Sequence, residues 1–181
     1  MSRAKKIKYI VIHCSAGWGD YKSMENYWFT PKNKGGLGWK TGGYNRGVLF
    51  DGTIVKPYSF ETVTNGVGGF NEDCIHIFYQ GGIDKITKKG KDTRSEEQKA
   101  GIIACIVEIF EWLQTEGVDT SEAGNQIIIL GHRDFSTDKN HNGIIDPNER
   151  IKDCPCFDAL EEYKWITYTD KKNYTLPKNR K

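Results

Sequence analysis

The sequence predicts an α/β domain, and three observations carry that expectation. Five short runs rich in Ile, Val, Phe and Tyr recur along the chain, as strands do. One long segment, residues 95–117, repeats apolar side chains at helical spacing. Clusters of Gly, Asn and Asp punctuate the intervals. A length of 181 residues allows one real hydrophobic core, so a single domain is expected. A profile of 37% hydrophobic, 12% aromatic and 28% charged residues excludes a disordered or fibrous chain. A net charge of +2 lends no support to a nucleic-acid partner, and none is expected; the chain reads as a monomer.

The elements follow in order. The N-terminus, MSRAKKIKYIVIHC, is basic and then apolar, like the first two parts of a signal peptide. Its apolar run is short, alternates and carries a His, so it reads as a strand over 8–14 with no cleaved signal. Nothing approaches the roughly 18 apolar residues that span a membrane, and no membrane insertion is expected. SMENYWF (23–29) is a short helix. RGVLF (46–50) and TIVKPY (53–58) flank Asp51-Gly52, a strong signal for a two-residue hairpin turn. The Gly-rich stretches 35–47 and 65–70 read as exposed loops near a cleft, and CIHIFYQ (74–80) as the next strand. In 95–117, Ser95 caps the helix with Gln98 three positions on. Ile102, Ile103, Ile106, Ile109, Phe110 and Leu113 form its apolar face, and Gly117 stops it. QIIIL (126–130) is apolar throughout and suits a central strand buried on both faces. FDALEEYKWI (157–166) is a helix, and the basic tail 170–181 reads as a solvated end rather than a contact for an acidic polymer.

The five Cys (14, 74, 105, 154 and 156) are odd in number and scattered, unlike a disulfide framework, so a reducing compartment is expected. Cys105 reads as a small core residue. Among the four His, His13 closes one predicted strand and His132 follows another. Ligand-bearing side chains collect at such strand ends in α/β sheets. Cys154 follows the loop that leaves His132 and can supply a third donor, and thiolate with imidazole suits zinc better than calcium or magnesium. Cys14 is next to His13 on a strand, so the two side chains point to opposite faces and cannot share one ion. Cys156 reads as a buried thiol, with service as a substitute ligand the alternative.

The motifs KYIVIHCSAG, GGYN, FDGTI, YQGGID, SEEQ, GHRD and KDCPCFDA occur together in the order and spacing of the zinc-dependent N-acetylmuramoyl-L-alanine amidases. The chain thus resembles, over about 6–165, the phage-lysozyme-type amidase family, which shares its fold with peptidoglycan recognition proteins. The resemblance implies a mixed, twisted β-sheet of about five strands flanked by helices, with a core at about 6–166. It implies zinc ligands His13, His132 and Cys154, and catalytic assistance from Tyr44 and Lys152. Two departures stand out. The family usually reads GYH where this chain has Asn45 after Tyr44, and a Gly of its SIGI motif is His76 here. His76 is then either a packed sheet residue or an imidazole beside the groove. Zinc would lower the pKa of a bound water to about 7, Lys152 would stabilise the oxyanion, and Tyr44 would orient or handle protons. The alternative for Lys152 is a solvent-exposed side chain.

Residues 138–149, DKNHNGIIDPNE, match the twelve-residue calcium loop of EF-hands. Asp138, Asn140 and Asn142 take positions one, three and five, Gly143 the sharp turn, Ile144 the carbonyl ligand, Asp146 position nine and Glu149 the bidentate carboxylate. The alternative is a turn-rich surface loop. The expected cofactors are therefore a catalytic Zn2+ and a structural Ca2+ that positions Lys152 and Cys154. His141, at position four, points away from the ion.

The leading function is zinc-dependent hydrolysis of the amide between N-acetylmuramic acid and L-alanine in peptidoglycan, with muropeptides as substrate. A non-catalytic peptidoglycan-binding module on the same fold is the alternative, and a thiol hydrolase using Cys154 with His132 a third. With no signal expected, the chain reads as made in the cytoplasm and acting on the cell wall after phage- or export-mediated release, as an endolysin or an exported toxin, with a cytoplasmic recycling enzyme the alternative.

Overall fold

In the computed structural model, which describes residues 2–122, 125–167 and 177, the chain folds around a five-stranded sheet. β1 (Tyr9–Cys14), β2 (Arg46–Val48), β3 (Ile54–Val55), β4 (Cys74–Tyr79) and β5 (Ile128–Gly131) lie in the order β3-β2-β4-β1-β5. β2 and β3 form an antiparallel hairpin and every other pairing is parallel, so the sheet is mixed, as expected. Helices α1 (Tyr21–Phe29), α2 (Glu96–Thr115) and α3 (Ala159–Thr167) flank it. The predicted basic tail lies outside the described residues, apart from Pro177.

The two-residue period of the strands divides the molecule into two faces. On one face Ile10, Ile12 and Cys14 of β1, Ile75, Ile77 and Tyr79 of β4 and Ile129 of β5 share one core with α2. The helix contributes Ile102, Cys105, Ile106, Ile109 and Leu113, each fully buried. Burial of each aliphatic side chain stabilises the fold by about 1.5–3 kcal/mol. Ser95 and Gln98 make the expected reciprocal capping box at the start of α2, and Gly117 takes a left-handed φ of 74° just past its end. The opposite face carries Val11 and His13 of β1, Cys74, His76 and Phe78 of β4, and Leu130 of β5. A smaller apolar cluster of Val11, Val67, Phe70, Cys74, Leu130, Phe135 and Leu160 fills part of it.

Three expectations need correction. The run 126–130 forms an edge strand, not a central one, since β5 ends the strand order. Its apolar residues are buried because α3 packs across it, with Leu160 on one face and Ala159 and Tyr163 on the other. The hairpin turn is not the two-residue Asp51-Gly52. Gly52 N–H donates to Leu49 O (3.0 Å) and Leu49 N–H to Thr53 O (2.9 Å), with Gly52 at φ 83°, which makes a three-residue loop with Gly at its left-handed position. The Gly-rich stretch 35–47 is exposed only in its first part. Gly42 and Gly43 are buried against Trp28 of α1, and a Cβ on Gly42 would lie 2.8 Å from that indole. Glycine serves there for close packing rather than for turning.

Candidate metal centre

Parity places the candidate donors. His13 ends the run Tyr9, Val11, His13 on one face of β1, and His132 continues Ile128, Leu130 on the same face of β5. Ile12 pairs with Gly131 in parallel register, so the two His are neighbours one step further along. Their ring centroids are 5.0 Å apart. Past β5 the chain makes a short 3₁₀ turn, His132–Phe135, which Asp134 ties back through a bond from Gly131 N–H to its Oδ2 (2.8 Å). Arg133 N–H donates to Cys154 O (2.8 Å), which brings the end of the long loop to the same place. Cys154 Sγ then stands 3.8 Å from His13 Nδ1 and accepts Cys14 N–H at 3.2 Å. One donor atom each from His13, His132 and Cys154 all lie within 4.8 Å of one another. Among the described residues no other three His, Cys, Asp or Glu side chains form such a group.

The electrostatics suit a cation. Burial holds His13 well below the ordinary imidazole range, helped by His132, His76 and the Lys152 charge. His132 is lowered to about 4, by burial and then by Lys152. Both rings are thus neutral at physiological pH, with a lone pair to offer. Lys152 is itself exposed, which matches the plainer expectation for it, yet its charge reaches both imidazoles. Tyr44 stacks at a tilt on His13, ring centroids 4.8 Å apart, between Trp28 and Phe78. Burial and the Cys154 and Cys14 thiols push its phenol well above the ordinary range, so it remains a hydrogen-bond donor. A recess of about 130 Å³ with both polar and apolar walls, lined by His132 and Ser136 together with Val67, Phe70, Phe135 and Ile151, opens at His132.

Sequence reasoning left His76 between two readings, and the structure gives the packed sheet residue, with its ring against His13. His76 is fully buried in β4, and its Nδ1 is 3.1 Å from His13 Nε2. Burial, then Arg3 and His132, lower it to about 3. Strand parity puts residues 74, 76 and 78 on one face, but the contact with His13 follows only once β4 pairs with β1. Cys14 lies on the opposite face, as expected, inside the α2 core. Its Sγ is 3.9 Å from that of Cys156, a half-buried thiol that also donates to Gly82 O (3.1 Å).

The loop 138–149 folds on its own polar groups. Asp138 Oδ2 accepts Gly143 N–H (2.8 Å), Asn140 Oδ1 accepts Asn142 N–H (3.0 Å), and Asn142 Oδ1 accepts Ile144 N–H (2.8 Å). Glu149, only 5% exposed, accepts Lys139, Asn140 and Asp146 N–H groups, and Asp146 Oδ2 accepts the Asn140 and Asn142 amides. The carboxylates of Asp138, Asp146 and Glu149 do not converge as the zinc-type donors do. His141 is exposed, as expected.

No protein-family model matches the chain. A Haemophilus influenzae protein described as uncharacterized is 31% identical over 117 residues, which span 64% of this chain and 87% of that protein. Solved structures show the same fold. The ectodomain complex of peptidoglycan recognition proteins LCa and LCx with tracheal cytotoxin matches with a TM-score of 0.60 and 17% identity, over 90% of this chain and 84% of that one. N-acetylmuramoyl-L-alanine amidase LysC from Clostridium intestinale matches with a TM-score of 0.58 and 16% identity, over 93% and 90%. No helix among the described residues is long and apolar enough to cross a membrane.

Proposed function

The chain belongs to one family with the Haemophilus influenzae protein and has the fold of peptidoglycan recognition proteins and N-acetylmuramoyl-L-alanine amidases, and from that premise we propose that it is a zinc-dependent amidase that cleaves between N-acetylmuramic acid and L-alanine in bacterial peptidoglycan. The observation that carries the reading is the convergence of His13, His132 and Cys154 within 4.8 Å. Two neutral imidazoles and a thiol are a donor set for zinc, and a fourth position would remain for water or substrate. Tetrahedral zinc with such ligands puts sulfur about 3.6 Å from nitrogen, close to the 3.8 Å between Cys154 Sγ and His13 Nδ1. A module that only bound peptidoglycan would have no need of three converging donors.

When bound, zinc supplies Lewis-acid activation of water and of the scissile carbonyl. The remaining work falls to this chain's own side chains. Lys152 brings an exposed ammonium to the mouth of the site, where it offsets negative charge growing on the carbonyl oxygen. Tyr44, held protonated, donates a hydrogen bond to the same oxygen or orients the attacking water. The recess at His132, which has both polar and apolar walls, offers a seat for part of the muropeptide.

The test is mass spectrometry of muropeptides after digestion, with metal analysis of the purified protein. One zinc per chain, and free stem peptides beginning with L-alanine from wild type but not from His132→Ala, are expected. Zinc with intact muropeptides would favour the binding module, and cleavage without zinc would favour a Cys154 thiol hydrolase.

The reading includes a structural Ca2+ in 138–149. Its support is the twelve-residue pattern, the left-handed turn at Gly143 (φ 82°), and Asp138 Oδ1, which is buried with no hydrogen-bond partner among the described residues. Asp138, Asp146 and Glu149 with the Ile144 carbonyl would hold the ion, which would supply a charge for these oxygens to share.

A further inference from the structure

His13 is the middle of three imidazoles in a row, with His132 on β5 and His76 on β4 at centroid distances of 5.0 and 5.1 Å. Its two nitrogens face different neighbours. Nδ1 looks toward Cys154 Sγ at 3.8 Å, and Nε2 toward His76 Nδ1 at 3.1 Å. We infer that His76 is a positioning residue for the metal centre: its Nδ1 accepts the Nε2–H of His13 and so keeps the His13 Nδ1 lone pair turned to the metal. This rests on the metal reading above.

The chemistry leaves little freedom. A neutral imidazole carries one N–H, so a His13 that ligates through Nδ1 must be protonated at Nε2. The atom within reach of that proton is His76 Nδ1, which accepts only if its own proton sits on Nε2. Had His76 donated instead, the His13 proton would lie on Nδ1 and close that nitrogen to a metal. Metal binding and the tautomers of both rings are therefore one linked choice. Ligating histidines commonly give their other N–H to a carboxylate, a carbonyl or water; here a second imidazole takes that place.

The surroundings hold the His76 ring for this contact. The His76 backbone N–H donates to Asn45 Oδ1 (3.2 Å), which fixes the strand position that carries the ring, and Asn45 is fixed in turn by Thr64, Ser59 and Thr62. The ring stands against Gly66, where an added Cβ would come 2.3 Å from its Nδ1. The two departures from the amidase pattern thus touch, since Asn45 lacks the usual imidazole and His76, beside it, supplies one. Simple packing does not account for the ring. A residue needed only to fill this fully buried site would be apolar, whereas His76 Nε2 is buried with no partner among the described residues.

The experiment measures zinc affinity by chelator competition for wild type, His76→Leu and His76→Asn. Leu removes the acceptor, whereas Asn returns an oxygen near the Nδ1 position. Leu should weaken zinc binding about 10- to 100-fold and Asn recover most of that loss. In ¹⁵N spectra of the zinc-loaded wild type, His13 should be protonated at Nε2, with a coupling across the hydrogen bond to His76 Nδ1. This second measurement needs no variant, so it decides the matter even if Leu fails to fold. Equal affinity in a folded Leu variant, or a His13 protonated at Nδ1, would overturn the inference and leave the amidase reading standing. Failure of wild type to take up zinc would remove both.

Discussion

Each of the three clustered imidazoles is neutral for a physical reason that predicts a measurable consequence. Burial lowers His76 from 6.5 to about 3 and His132 from 6.5 to about 4. Between those values and 6.5 the unfolded chain binds protons that the folded chain refuses, so stability falls as pH drops through that window. For the fully buried His76 the slope is about 1.4 kcal/mol per pH unit. The melting temperature of metal-free protein should decline steadily from pH 7 to pH 4.5, and a flat profile would contradict the burial argument. Lys152 belongs to the same scale. Lys152→Ala should lower kcat by about 100-fold with little change in melting temperature, as for loss of one oxyanion donor. Stopped turnover assays on muropeptides would show it, and unchanged kcat would return Lys152 to the role of an ordinary surface lysine. The residue types at 13, 132 and 154 were legible because donor chemistry is a property of single side chains. The contact of His76 was not, since it depends on which strand β4 joins.

At the scale of elements, local signals were read well where they were local. Ser95 and Gln98 announced the start of α2, and the structure shows both halves of the capping box. α1 begins at Tyr21, two residues before the expected start, because Asp20 caps it with its side chain on Ser23 N–H (2.7 Å). Glycines were harder, because the same residue serves turns and tight packing. Gly47 in β2 is of the second kind: a Cβ there would fall 2.0 Å from the Phe78 ring on the neighbouring strand. Gly47→Ala should therefore destabilise the protein by roughly 1–3 kcal/mol through overpacking. Urea unfolding would measure it, and a neutral result would mean that β2 and β4 can separate without penalty. Phe78 also lies beneath Tyr44, at a centroid distance of 5.0 Å, so the same variant should disturb the phenol before it disturbs the fold elsewhere.

Across the whole molecule, the sheet acts as a rigid floor and the long loop 136–158 as the part that completes the site. The floor presents His13 and His132 from parallel neighbouring strands, where backbone pairing fixes their spacing. Cys154 arrives only after the loop has folded, with Ile151 N–H on Ser136 Oγ (3.0 Å) and the Tyr79 hydroxyl on Pro155 O (2.6 Å) as its anchors. If the centre binds zinc as proposed, a chelator should lower the melting temperature, since an ion held only by the folded state stabilises it by mass action, and an unchanged value would count against a bound metal. If calcium orders 138–149, a calcium-selective chelator with zinc replenished should lower both activity and melting temperature, and Glu149→Gln should do the same in calcium buffer. Unchanged values in both measurements would leave the loop as a self-bonded surface turn.

The sequence by itself determined the fold class and nearly every element, and it singled out His13, His132 and Cys154, which the structure brings together. Those features follow from periodicity, caps and residue type, all of which act over a few neighbouring positions. Only the tertiary structure decided that QIIIL is an edge strand covered by α3, that Gly42, Gly43 and Gly47 pack rather than turn, and that His76 sits behind His13. The physical reason is the same in each case. An apolar run reports that a segment is buried, not what buries it, and a strand's two faces acquire meaning only when distant strands settle into one order and one register.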